Sequence, residues 1–171
     1  MNQSKDEDLG GCMIELLFLL GFSLHNIEEA IWLPSWSKNA GKFHPPVKQN
    51  EFMFAIVIVT MLGYLGTFQF FIFQGVSNIS KSIYLGFILM MVLNSIFPHL
   101  VATIYFKRYA PGTITALFLN LPIGLYLILT HLKTRQDLFY MVISAIIMIV
   151  LFMSGIEQIF KLGDKLFEER E

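Results

Sequence analysis

The sequence predicts an all-α membrane protein, a polytopic bundle of about five transmembrane helices with its N-terminus outside and its C-terminus in the cytoplasm. Three observations carry that expectation. The 171 residues are 55% hydrophobic and only 15% charged, with a mean hydropathy of +0.62, whereas a soluble domain carries nearer a quarter charged residues. Five apolar stretches are each long enough to cross a hydrocarbon core of about 30 Å, which takes ~20 residues. All 12 Lys and Arg residues fall outside those stretches or at their edges. A net charge of −1 with no basic run excludes a nucleic-acid partner. A single cysteine, Cys12, excludes a disulfide framework and a zinc-finger cluster.

The first span, 9–33, is the least apolar. Its clean run 16–24 is too short to cross, so the helix must continue through His25, Glu28 and Glu29. Twelve Leu, Ile and Phe residues between Leu9 and Leu33 contribute roughly −6 kcal/mol to insertion, against ~3 for each acid at the bilayer centre. The acids must therefore lie near an interface, share a partner or be protonated. The acidic opening 1–8, with no small-residue cleavage site after the apolar run, does not read as a signal peptide.

Spans 52–73, 83–105, 114–132 and 138–160 follow. Pro34, Gly41 and Pro45-Pro46 punctuate the first connection, Gly75-Val76-Ser77-Asn78 the second, and Pro111-Gly112 opens the fourth span. The chain is thus one transmembrane domain over 1–171. With five spans, Lys5, Lys81, Lys133 and Arg135 share a side. Lys38, Lys42, Lys48, Lys107, Arg108, Lys161, Lys165 and Arg170 share the other, which the positive-inside rule assigns to the cytoplasm. Trp32 and Trp36 then join an interfacial belt, and the expected location is a bacterial inner membrane. Gly63 and Gly66, three apart on the second span, suggest close helix approach.

Four acids do lie within spans: Glu15, Glu28, Glu29 and Glu157, together with His25, His99, Asn94 and Asn120. Carboxylates at that depth without basic partners call for a proton, a metal cation or a cationic ligand. His25, Glu28 and Glu29 come about 24–30 Å along the first span. Asn94, His99 and Glu157 sit late in spans running the same way, and Tyr109–Thr115 opens the fourth from that side. All converge on the cytoplasmic half; Glu15 alone belongs to the other.

His25 and Glu29 are four apart and share a helix face, with Glu28 flanking. One imidazole and two carboxylates can bind zinc or iron or perform acid–base chemistry. The alternative is that the tandem acids mark a helix end in the headgroup layer. Pro98 deprives the carbonyl of Asn94 of its helical donor, one residue before His99, which suits a cavity lining or an ordinary kink with Asn94 as interhelical glue. Pro122 does the same at Phe118, near Asn120, and reads as packing. Tyr109-Ala110-Pro111-Gly112-Thr113-Ile114-Thr115 reads as a loop turning into a helix, whose first N–H groups can hold a carboxylate or an oxyanion, or be capped by Thr113. His44 and His131 read as interfacial.

Three fragments together resemble one family. His25-Asn26-Ile27-Glu28-Glu29 looks like the H-x-x-E-E motif of the HXXEE-domain family of small bacterial polytopic membrane proteins. Asn94…His99 resembles its N-x-x-x-H motif, and Tyr109–Thr115 its Y-x-P-G-x-x-T motif. The resemblance implies an enzymatic centre of His25, Glu28, Glu29, Asn94, His99, Tyr109 and Thr115. Metal-ligand candidates are His25, Glu28, Glu29 and His99, with Glu157 more distantly, and a divalent zinc or iron as cofactor. One departure stands out. Four residues rather than three separate Asn94 from His99, which in a regular helix swings the two about 140° apart; a local bulge at Pro98 would restore the register. The expected function is a membrane-embedded hydrolase or isomerase, metal-dependent or using His/Glu acid–base chemistry, on a lipid-like substrate. The alternatives are a proton or metal-cation carrier, and a structural scaffold for partner helices.

Overall fold

The computed structural model describes residues 3–41, 44–73 and 77–168, with side chains from Met13 to Phe167 within those ranges. Gly75 and Val76 of the second turn, and Lys42 and Arg170 of the charge count, lie outside the described residues; Lys5 and Cys12 lie outside the described side chains. Among the described residues the regular structure is all helical. Five helices are long and apolar enough to cross a membrane, near the expected positions: Met13–Ser37, Gln49–Phe73, Asn78–Phe106, Thr113–His131 and Arg135–Phe167.

Helix α1 runs Gln3–Ser37 without a break at its acids. It ends where Asn39 and Ala40 turn their N–H groups onto the carbonyls of Trp36 and Ser37, and Gly41 takes φ +58°. Helix α2 is Gln49–Phe73. Helix α3, Asn78–Phe106, starts from Ser77, whose hydroxyl accepts the Ser80 N–H at 3.4 Å. Helix α4, Thr113–His131, begins after the left-handed Gly112. Helix α5, Arg135–Glu168, opens with reciprocal capping: Asp137 accepts from the N–H groups of Lys133 and Thr134, and Thr134 Oγ1 accepts from that of Asp137.

Helix α3 lies at the centre, packed on α2, α4 and α5, while α1 closes against α2 and the start of α4. The core between them is Phe18, Phe22, Tyr84, Leu85, Ile88 and Leu127. Outward faces carry large apolar groups such as Val57, Leu65, Ile147, Val150 and Leu151, the arrangement a hydrocarbon solvent favours. Gly63 meets the expected close approach, since a Cβ there would lie 2.3 Å from the Phe22 ring; Gly66 does not, with nothing within 4 Å of its added Cβ.

The helices that contain Pro98 and Pro122 widen locally, whereas α1 passes Pro34 unbroken. In α3 the segment Ser95–Leu100 is a π-type turn in which Phe97 leaves helical geometry at φ −125° and ψ 121°. In α4 the segment Ala116–Asn120 is also π-type and leads into Pro122 near the start of the following α-helical segment, because the proline ring cannot sit against the carbonyl four residues before it.

Candidate metal centre

His25, Glu29 and His99 meet deep in the bundle, where one donor atom from each lies within 4.8 Å of the others. Two are closed off, His25 at 1% and His99 at 4% exposure. The Glu29 side chain, at 17%, gives the group its opening. The imidazoles stand edge to face with centroids 4.7 Å apart.

Their orientation follows from the backbone around Pro111 and Gly112. His99 Nδ1 lies 2.8 Å from the Pro111 carbonyl. His25 Nδ1 lies 3.1 Å from the Gly112 carbonyl and 3.2 Å from Thr115 Oγ1. A carbonyl only accepts, so both rings carry their proton on Nδ1 and donate it there. Both Nε2 lone pairs therefore face inward. Nε2 of His25 is 3.9 Å from Glu29 Oε2, and Nε2 of His99 is 3.4 Å from Glu29 Oε1. The Asn94 amide donates to both, at 3.3 and 3.1 Å. Three lone-pair donors thus converge with no proton fixed between imidazole and carboxylate, an arrangement that a cation relieves.

Gly112 is required here twice over. Its φ of +85° is a left-handed conformation, and a Cβ would fall 2.6 Å from His99 Cε1 and 2.8 Å from His25 Cε1.

Glu28 faces away from the imidazoles' shared side and is engaged by the loop. Its Oε1 accepts from the Gly112 N–H at 2.8 Å and from the Tyr109 hydroxyl; its Oε2 accepts from the Thr115 N–H at 3.0 Å and the Thr115 hydroxyl at 2.6 Å. Of the two uses open to this helix start, an internal carboxylate has taken the N–H groups of Gly112 and Thr115. Tyr109 and Thr115 touch Glu28, and Thr115 also touches His25. Glu157 is exposed on α5, and among the described residues no ion pair or hydrogen bond links it to this group. No Lys or Arg ion pair among the described residues reaches Glu15, Glu28 or Glu29.

The break in helical geometry at Phe97, before Pro98, brings Asn94 and His99 back together, and the two contact at 3.1 Å. Several supporting residues were not singled out in the sequence. Asn26 donates to Thr60 Oγ1 at 2.8 Å, tying α1 to α2. Thr113 contacts Thr103 Oγ1 at 2.8 Å, and Thr103 accepts the Ala110 N–H at 3.2 Å, so the loop is pinned to the end of α3. The signal available was polarity in apolar spans, which marks burial without naming a partner. His131, read as interfacial, pairs with Glu15 at 3.2 Å.

A family model described as a protein of unknown function with HXXEE motif matches residues 16–127, which include every residue named in the centre. An uncharacterized protein, YrkK, of Bacillus subtilis (strain 168) is 45% identical over 152 residues, covering 86% of this chain and 94% of that protein. No solved structure matches.

Proposed function

The chain belongs to the HXXEE family, and from its centre we propose that it is a membrane-embedded metalloenzyme with His25, Glu29 and His99 as ligands to one divalent ion. The observation that carries this reading is the tie of each imidazole Nδ1–H to a peptide carbonyl, which turns both Nε2 lone pairs onto one carboxylate. Metal-binding histidines commonly donate their second N–H in this way, which fixes the tautomer and ring orientation. Two histidines and one glutamate leave a coordination position free, the ligand set of hydrolytic zinc sites and of non-haem iron centres.

His25, Glu29 and His99 would hold the ion, which would supply Lewis acidity toward a substrate oxygen and a more acidic water. Asn94, within hydrogen-bond reach of both Nε2 atoms, orients that water or the substrate. Glu28, Tyr109 and Thr115 hold the loop whose carbonyls aim the imidazoles. The burial of the group among membrane-length helices favours a lipid-like or membrane-soluble substrate, transformed by hydrolysis or isomerisation.

Elemental analysis of the purified protein tests the metal. Wild type and Glu157→Ala should carry about one zinc or iron per chain, and His25→Ala, His99→Ala and Glu29→Gln close to none. Equal content in all five sinks the proposal. Mass spectrometry of lipid extracts incubated with wild type or Glu29→Gln then seeks the substrate.

A carrier for protons or metal cations is the second reading, favoured by the Glu15–His131 pair at the other end of the bundle. Against it, Phe18, Ile88, Val92 and Leu127 are buried between the two ends, and a Cβ added at Gly124 would strike Val92 and Ile88. Those side chains are apolar and closely packed, although the buried Asn120 amide lies against Gly21 of α1. Metal or proton uptake into proteoliposomes, abolished by Glu15→Gln, would reverse the ranking.

A further inference from the structure

Glu15 on α1 is 2% exposed, and its Oε1 lies 3.2 Å from Nε2 of His131, the last residue of α4. His131 Nδ1 lies 3.1 Å from the Leu127 carbonyl, so that nitrogen carries a proton and donates it. The neutral ring then offers a lone pair at Nε2 to a carboxyl group. One proton must lie between them. Two further atoms point to a ligand: Glu15 Oε2 and the Tyr84 hydroxyl are buried and have no hydrogen-bond partner among the described residues, although buried polar groups are nearly always paired. Phe70 holds the group together, stacked on Tyr84 at 4.4 Å and edge-on to His131 at 5.6 Å.

We propose that Glu15 and His131 form a second buried cation-binding centre, at the opposite end of the bundle from His25, Glu29 and His99, and that its cation is a proton. The bound proton sits either on the carboxyl, donated to Nε2, or on Nε2, donated to the carboxylate, and the pair is electrically neutral in both forms. Loss of that proton leaves a carboxylate beside a neutral ring. The route to water is His131, whose side chain is 23% exposed while Glu15 is closed.

The groups facing the pair are few. From α3 comes Tyr84 and from α2 the ring of Phe70; Thr130 Oγ1 lies 3.2 Å from His131 Nδ1. The other charged side chains described at this end are Lys81 and Asp137, paired with each other at 2.9 Å, and Lys133 and Arg135 in and after the α4–α5 connection. The proposal does not depend on the metal centre.

Infrared difference spectroscopy on the full chain in nanodiscs, titrated between about pH 4 and pH 9, tests it. The carbonyl-stretch band of a protonated carboxyl should disappear with rising pH. Glu15→Gln should remove that band. His131→Gln should move its midpoint by about one pH unit or more, because coupled groups titrate as a pair. Gln keeps a side chain of similar size at both positions, and either variant that remains monodisperse suffices for comparison. Two results overturn the proposal: a carboxyl band unchanged in Glu15→Gln or absent throughout, or a zinc equivalent that survives His25→Ala/Glu29→Gln and is lost in Glu15→Gln, which would make the ligand a metal.

Discussion

The tandem glutamates can be separated by opposite effects on stability and metal content. Glu28 is a hub: two backbone N–H groups and two hydroxyls donate to its oxygens, and its exposure is 6%. Glu28→Gln keeps the shape but replaces one oxygen by an NH2 group. Hydroxyls can rotate away; the N–H of Gly112 or of Thr115 cannot. One buried donor left facing a donor costs about 1–3 kcal/mol. The remaining bonds lose their charge assistance, adding about 1 kcal/mol or somewhat more. The total is about 2–5 kcal/mol. Glu29 accepts no hydrogen bond from a described residue, so Glu29→Gln removes a poorly compensated buried charge and should leave the metal-free protein as stable as wild type or more so. The assay is denaturant unfolding of chelator-treated protein in detergent, alongside metal content. Glu28→Gln should unfold early; Glu29→Gln should unfold normally and fail to hold metal. A Glu28→Gln variant within 1 kcal/mol of wild type, or equal destabilisation by both substitutions, would refute the division of labour.

Gly112→Ala should cost about 1–2 kcal/mol for the left-handed backbone alone. It should also displace both imidazoles and abolish metal retention, read by elemental analysis. Gly63→Ala should destabilise by about 1–3 kcal/mol through the Phe22 ring, whereas Gly66→Ala, with open space, should be neutral or stabilising by up to about 1 kcal/mol; parallel denaturation curves decide. Lys48, between α1 and α2, pairs with Glu51 at 2.9 Å and with Asp164 of α5, and the hydrogen bond to Asp164 chiefly raises its pKa above the ordinary lysine value. Its contribution is complete below that ordinary value and fades as pH rises through the folded one. Lys48→Met and wild-type stabilities should therefore converge at strongly alkaline pH, and at high salt, since the amine is solvent-screened.

The spans were legible because length and hydropathy are local quantities, and a hydrocarbon solvent admits few alternatives to a helix. The polar residues of the centre were legible for the same reason, since each departs from an apolar background. Their roles were not. Glu28 and Glu29 are adjacent and chemically identical, and only the docking of Gly112 and Thr115 separates a loop anchor from an open carboxylate. The register of Asn94 and His99 hinged on whether the chain widens at Ser95–Leu100, which needs the packed partner as well as Pro98. His131 illustrates a third limit. At the edge of its span it reads as an interfacial group, and its bond to Glu15 joins residues more than a hundred positions apart. Gly66 shows the reverse, a spacing that suggested contact where nothing approaches.

The loop before α4 grips α1 through Glu28 and His25 and α3 through His99, while α5 supplies no hydrogen bond or ion pair to the centre among the described residues. The groups that orient the ligands on α1 and α3 therefore all come from the opening turn of α4. The final helix is a buttress laid against α2 and α3 from outside, which agrees with a family match ending at residue 127. Sequence drift in that outer support should be tolerated so long as it stays greasy and fits its neighbours, whereas drift in the short turn around Gly112 should not.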